Sequence, residues 1–218
     1  AFNRTVDISK FQKRDTEAPE YVKQARFIVV DPATGKLQAG LDDLGIGYFE
    51  TCTEAPLRPV AVDMILAPLT PYQAIIACLA FCAKYNCRVI GCESNAYQST
   101  YLFWFDFVCK QLNITNIHFV EIYTNDQSKN ARVRSVIKAF VAHELETTEN
   151  THSAILKQVV DYDFTKTKNK DEALDLCAMA TAMVKNYQAL CESMDPAGAT
   201  FGRNPSPGVA SVENNCSF

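Results

Sequence analysis

The chain has 218 residues, 48% of them hydrophobic, enough to build one sizeable domain with appendages. No apolar run approaches the ~18–20 residues of a membrane span, and the opening AFNRTVDISKF lacks the charged-then-apolar layout of a signal peptide. A net charge of −4 excludes an evenly basic nucleic-acid binder.

Charge distribution says more than the total. Lys129, Arg132, Arg134, Lys138, Lys157, Lys166, Lys168 and Lys170 cluster in the second half, so an acidic site beside a basic rim fits the balance. The nine cysteines are odd in number and lie within apolar patterns, which argues against a disulfide framework. Cys78 and Cys82 have no His nearby, and zinc is not expected. The lack of an initiator Met suggests a piece of a longer protein.

Residues 1–25 are polar and read as a lead-in arm. ARFIVVD (25–31) is a continuous apolar run, as in a strand buried on both faces, and it stops at Asp31-Pro32. Segments 45–54 and 59–67 read as a second and third strand, joined closely enough for an antiparallel meander. Thr70-Pro71-Tyr72-Gln73 has the layout of a helix start, with a Thr cap, Pro in the first turn and Gln three residues on. RVIGC (88–92) is a short buried strand that ends at Glu93. An aromatic helix over about 97–112 follows, in which Tyr101, Phe103, Trp104, Phe105 and Phe107 are expected to pack the core.

IHFVEIYT (117–124) reads as a fifth strand, and a helix follows over about 130–144. Segment 153–163 is ambiguous between helix and strand. DEALDLCAMATAMVKNYQAL (171–190) is a clear helix, and the tail from 193 to 218 reads as loose. This order predicts an α/β domain over 26–192 with a five-stranded mixed sheet and helices on both faces. It is the ribonuclease-H topology.

Asp31 and Glu93 each end a buried strand, so adjacent strands would open both acids onto one rim. Asp171 and Asp175 are one helical turn apart on a face continued by Ala178 and Ala182. Converging carboxylates of this kind supply the hard oxygen ligands of two-metal phosphodiester cleavage. Three of these positions also have a structural alternative, and Asp175 is harder to dismiss. Asp31 before Pro suits a turn, while Glu93 and Asp171-Glu172 suit helix starts. Asp175 interrupts an apolar helix, where a bare carboxylate is costly.

VVDPATG, CESNAYQ, TNDQSKNARVRSV and KNKDEALDLCAMA resemble, in order, the motifs of the nuclease domain of phage large terminase subunits. The resemblance spans roughly residues 26–185. It implies a ribonuclease-H-like (RuvC-like) endonuclease that cuts double-stranded viral DNA during packaging in the host cytoplasm. Mg2+ or Mn2+ would serve as cofactor, with two ions expected. By position, Asp31 and Glu93 are its first two acids, and the third lies among Asp171, Glu172 and Asp175, with Asp175 and Asp171 favoured. The family's partners would be the packaging ATPase domain, the portal and the small terminase subunit. No GxxxxGK[ST] phosphate loop occurs here.

Lys129 matches the family's Ser-Lys motif and is the leading candidate for the site rim. With Arg132, Arg134 and Lys168 it would contact DNA phosphates, although a solvated helix face accounts equally for Arg132 or Arg134. Asn95 and Gln98 could position Glu93 or a phosphate, or cap a helix. Asp63 is a weaker outer acid, and His118, His143 and His152 form no ligand spacing. Two other functions share the pattern: a Holliday-junction-type resolvase of the same fold, and a non-catalytic packaging or interaction module.

Overall fold

The computed structural model describes residues 26–32, 44–52, 58–93, 98–122, 128–166 and 169–186. The proposed arm, the tail and Lys168 lie outside them, as does Asn95. Strand β1 (Arg26–Asp31) is the middle of the molecule, with Phe27, Ile28, Val29 and Val30 all buried. Alternate residues of a strand face opposite ways, so β1 feeds two cores. Ile28 and Val30 join one cluster, while Phe27 and Val29 join the other.

Strands β2 (Leu44–Thr51) and β3 (Pro59–Ala67) complete an antiparallel meander with β1. β4 (Val89–Glu93) lies parallel to β1 on its other side, and β5 (His118–Ile122) lies parallel to β4. The full order is β5-β4-β1-β2-β3-β6. This is the α/β, ribonuclease-H-like arrangement that the element order predicts, with one correction. The sheet has six strands rather than five. The addition, β6 (Glu146–Thr147), pairs parallel with Val60 and Ala61 of β3. Two residues carry no readable period. Hydrogen bonds of Thr148 hold this edge, from its N–H to Ala61 O at 3.0 Å and from its hydroxyl to Val62 O at 2.7 Å.

Helices α1 (Pro71–Tyr85) and α2 (Gln98–Gln111) cover one face. α1 begins with the predicted capping box of Thr70 and Gln73. Helices α3 (Lys129–Val141), α4 (Glu149–Asp161) and α5 (Glu172–Asn186) cover the other. The ambiguous segment is therefore α4, whose Ile155 is fully buried.

The aromatic helix needs a second correction. Tyr101 and Phe105 are buried, but Phe103, Trp104 and Phe107 are exposed and stack edge-on against one another. At 100° per residue, Phe103 and Phe107 lie opposite Tyr101 and Phe105, with Trp104 on the flank between the two sets, so one helix cannot bury all five rings against one sheet. The seven described cysteines are free, and all but Cys52 are buried. Burial pushes the Cys87 and Cys92 thiols up to about 12, in keeping with inert core residues. Among the described residues, no helix is long and apolar enough to cross a membrane.

Candidate metal and DNA site

The parallel pairing of β1 and β4 ends with Val30 opposite Cys92. The next residue of each strand is an acid, Asp31 and Glu93, and both fall at the same edge of the sheet. β2 contributes Gly45 opposite Asp31. A Cβ there would sit 3.1 Å from the Leu176 side chain of α5. On β4, a Cβ at Gly91 would meet Met183 Sδ at 3.0 Å. Two strand glycines thus clear a bed in which α5 lies against the sheet, bringing its acids to Asp31 and Glu93.

The first turn of α5 sorts its three acids. Gln158 of α4 donates from Nε2 to Glu172 Oε2 at 2.9 Å, and its Oε1 accepts from the backbone N–H groups of Ala173 and Leu174 at 2.8 and 3.3 Å. Gln158 therefore satisfies N–H groups that a helix start leaves without intrahelical partners, and it holds Glu172. Asp171 instead accepts from Lys129 Nζ at 2.9 Å, and Lys129 Nζ is also 3.0 Å from Asp175 Oδ2. Arg132, one turn further along α3, lies 3.6 Å from Asp175 Oδ1 and 3.9 Å from Glu93 Oε1.

Asp31 completes the set. Burial pushes its carboxyl up to about 7, with help from the negative charges of Asp175, Glu93 and, more weakly, Asp171, against the pull of Lys129. Such mutual effects require the carboxylates to lie near one another. The Lys129 ammonium is lowered by burial, yet Asp175 and Asp171 outweigh this and hold its pKa above the ordinary value.

The donor set suits a hard divalent cation, being carboxylate oxygen throughout. Asp175 Oδ1 is buried and has no hydrogen-bond partner among the described residues; Arg132 Nη2 stands off at 3.6 Å, so this oxygen keeps a lone pair for an ion. Among the described residues, no three acidic, His or Cys side chains are already gathered into an ion cage. Lys129 and Arg132 stand among the carboxylates instead.

Other candidates separate from this cluster. Arg134 is exposed, its guanidinium 4.9 Å from the centre of the Phe164 ring. Asp63 accepts from Lys84 Nζ at 2.9 Å and Tyr85 Oη at 2.7 Å on β3. Burial raises its pKa, but these two bonds outweigh that and lower it. Gln98 begins α2, and its side chain lies outside the described residues. The sequence reading missed Gln158, which sits in the segment of ambiguous period. It also missed the Lys129 and Arg132 ion pairs, whose partners are distant in the chain.

No protein-family model matches the sequence, and no curated protein matches it. Several solved structures resemble it distantly. The yeast mitochondrial Holliday junction resolvase Ydc2 shares 11% identity over 77% of this chain and 85% of its own, at a TM-score of 0.44. Thermus thermophilus RuvC shares 10% over 76% and 97%, at 0.43. The fowlpox virus resolvase, solved with substrate Holliday junction DNA, shares 13% over 78% and 98%, at 0.41. The fold assignment rests on this chain's own strand order, and the candidate site on its own side chains.

Proposed function

We propose that this chain is a divalent-metal-dependent DNA endonuclease. The observation that carries the reading is the convergence of Asp31, Glu93, Asp171 and Asp175 at one sheet edge, beside Lys129 and Arg132. Asp31, Glu93 and Asp175 would hold Mg2+ or Mn2+, with Asp171 beside them. The bound metal supplies activation of water and stabilisation of the leaving oxygen.

The protein supplies geometry and charge. Asp31 and Glu93 project from paired, buried strands, which fixes their separation. Asp175 comes from a helix seated on the sheet by Gly45 and Gly91. Arg132 offsets negative charge between Glu93 and Asp175. Lys129, Arg134 and Lys168 are the proposed contacts to DNA phosphates, which would bind without reading sequence.

Asp31→Asn and Glu93→Gln test the reading in a Mn2+-dependent plasmid assay. Each should cut activity by more than about a hundredfold while the variant stays folded by circular dichroism. Cleavage at the parent rate would sink the assignment.

Two substrates follow from different sources. The motif resemblance implies linear viral duplex, with a packaging ATPase domain, portal and small terminase subunit as partners. The resolvases with a similar fold act on Holliday junctions. Initial rates on a linear duplex and on a four-way junction of the same sequence separate the packaging nuclease from the resolvase.

A further inference from the structure

Lys129 stands in an odd place for a side chain that simply grips DNA. Its ammonium bridges Asp171 Oδ1 at 2.9 Å and Asp175 Oδ2 at 3.0 Å, while the side chain remains 51% exposed. The other Asp175 oxygen faces Arg132 at 3.6 Å. Both oxygens of Asp175 are therefore turned towards cations that belong to the protein.

Lys129 and Arg132 stand among Asp31, Glu93, Asp171 and Asp175 and offset part of their negative charge. Further ion binding through Asp171 and Asp175 needs the ammonium out of the way, because a divalent ion and an ammonium a few ångströms apart repel strongly in a partly buried site.

Lys129 has somewhere to go. It lies in the first turn of α3, where backbone N–H groups and the helix dipole favour an anion. Its four-carbon stem carries a mobile point charge. Arg132 is held at 20% exposure between Glu93 and Asp175, so Lys129 is the cation better placed to move.

We propose that Lys129 couples DNA binding to metal loading. In the free protein it closes the Asp171–Asp175 pair, and a backbone phosphate of bound DNA draws the ammonium away and opens those carboxylates to a divalent cation. Lys129 is then a positioning residue that acts through Asp171 and Asp175. The coupling is reciprocal: DNA tightens metal binding by the same factor by which metal tightens DNA binding. A nuclease built this way keeps its metal site incompletely loaded until substrate arrives. The inference rests on the nuclease reading above.

The test is calorimetric titration with Ca2+, used so that the duplex stays intact. It is run on the full chain and on Lys129→Gln, each with and without a short DNA duplex. The parent should bind Ca2+ about tenfold more tightly with duplex present. Lys129→Gln should bind Ca2+ more tightly than the parent without DNA and gain less than about threefold from it. Lys129→Met, which keeps the apolar stem, gives the same comparison should the glutamine variant not fold. Equal DNA coupling in parent and variant overturns the proposal, because phosphate would then act as a direct metal ligand without Lys129. Weaker Ca2+ binding by the variant in the absence of DNA overturns it as well. No saturable Ca2+ heat in any arm would instead remove the metal-site reading, and this inference with it.

Discussion

Gln158 Nε2 lies 2.9 Å from Glu172 Oε2, a buried hydrogen bond between α4 and α5. The bond holds Glu172 against α4, whereas Asp171 and Asp175 pair with Lys129. Because the same carboxamide accepts from Ala173 and Leu174 N–H, its loss would strand several buried polar groups together. Gln158→Ala should lower unfolding free energy by about 1–3 kcal/mol, read as a lower urea midpoint with an unchanged slope. Glu172→Gln should keep Mn2+-dependent cleavage within a few-fold of the parent, whereas Asp175→Asn should abolish it. Equal loss in the two variants would contradict this division of roles.

Asp31 makes the metal-free protein sensitive to pH. Its carboxyl has an ordinary value of 3.8 in the unfolded chain, and in the folded protein burial, Asp175 and Glu93 raise it to about 7. The folded state therefore holds this proton more tightly. The stability that the proton contributes is fully present below about pH 3.8 and is lost as pH rises through about 7. Asp31→Asn removes that loss, so in chelator at pH 8 it should melt a few degrees above the parent, and the gap should close towards pH 4. A variant that melts lower at pH 8 would show that the carboxylate is not strained in the metal-free state.

Gly45 tests how α5 is seated. A Cβ there already approaches Leu176 to 3.1 Å, and valine's γ-methyl groups would extend further. Gly45→Val should push the first turn of α5 away from Asp31. It should lower the melting temperature by several degrees and weaken Mn2+ binding by about tenfold or more. Unchanged Mn2+ affinity in a destabilised variant would mean that the acids do not depend on this close approach.

Arg134 should act on DNA in a different way from the acids. It is exposed on α3, with its guanidinium 4.9 Å from the centre of the Phe164 ring. If it meets a phosphate, Arg134→Ala should weaken duplex binding by a similar factor for every sequence. It should also reduce the slope of log affinity against log salt by about one. An unchanged slope would return Arg134 to the solvated surface.

Local pattern made some of this legible and left the rest out. The unbroken apolar run before Asp31 revealed a two-faced strand because each of Phe27, Ile28, Val29 and Val30 serves a core. Thr70, Pro71 and Gln73 marked the start of α1 through contacts within four residues. Asp175 stood out because an acid inside an apolar helix needs a reason. What escaped is non-local. The partners of Lys129 lie more than forty residues away, and Gln158 acts on a helix that begins 14 residues later. The exposure of Phe103, Trp104 and Phe107 escaped for another reason: composition identifies an aromatic helix, but helical phase decides which rings reach the sheet.

The most direct measurement of the central claim is the anomalous difference map of a Mn2+-soaked crystal. The account predicts a Mn2+ peak within about 2.0–2.3 Å of carboxylate oxygens of Asp31 and of Glu93 or Asp175, with Glu172 still on Gln158. A map with no peak at this sheet edge, or with Mn2+ only at acids elsewhere such as Asp63, would contradict it.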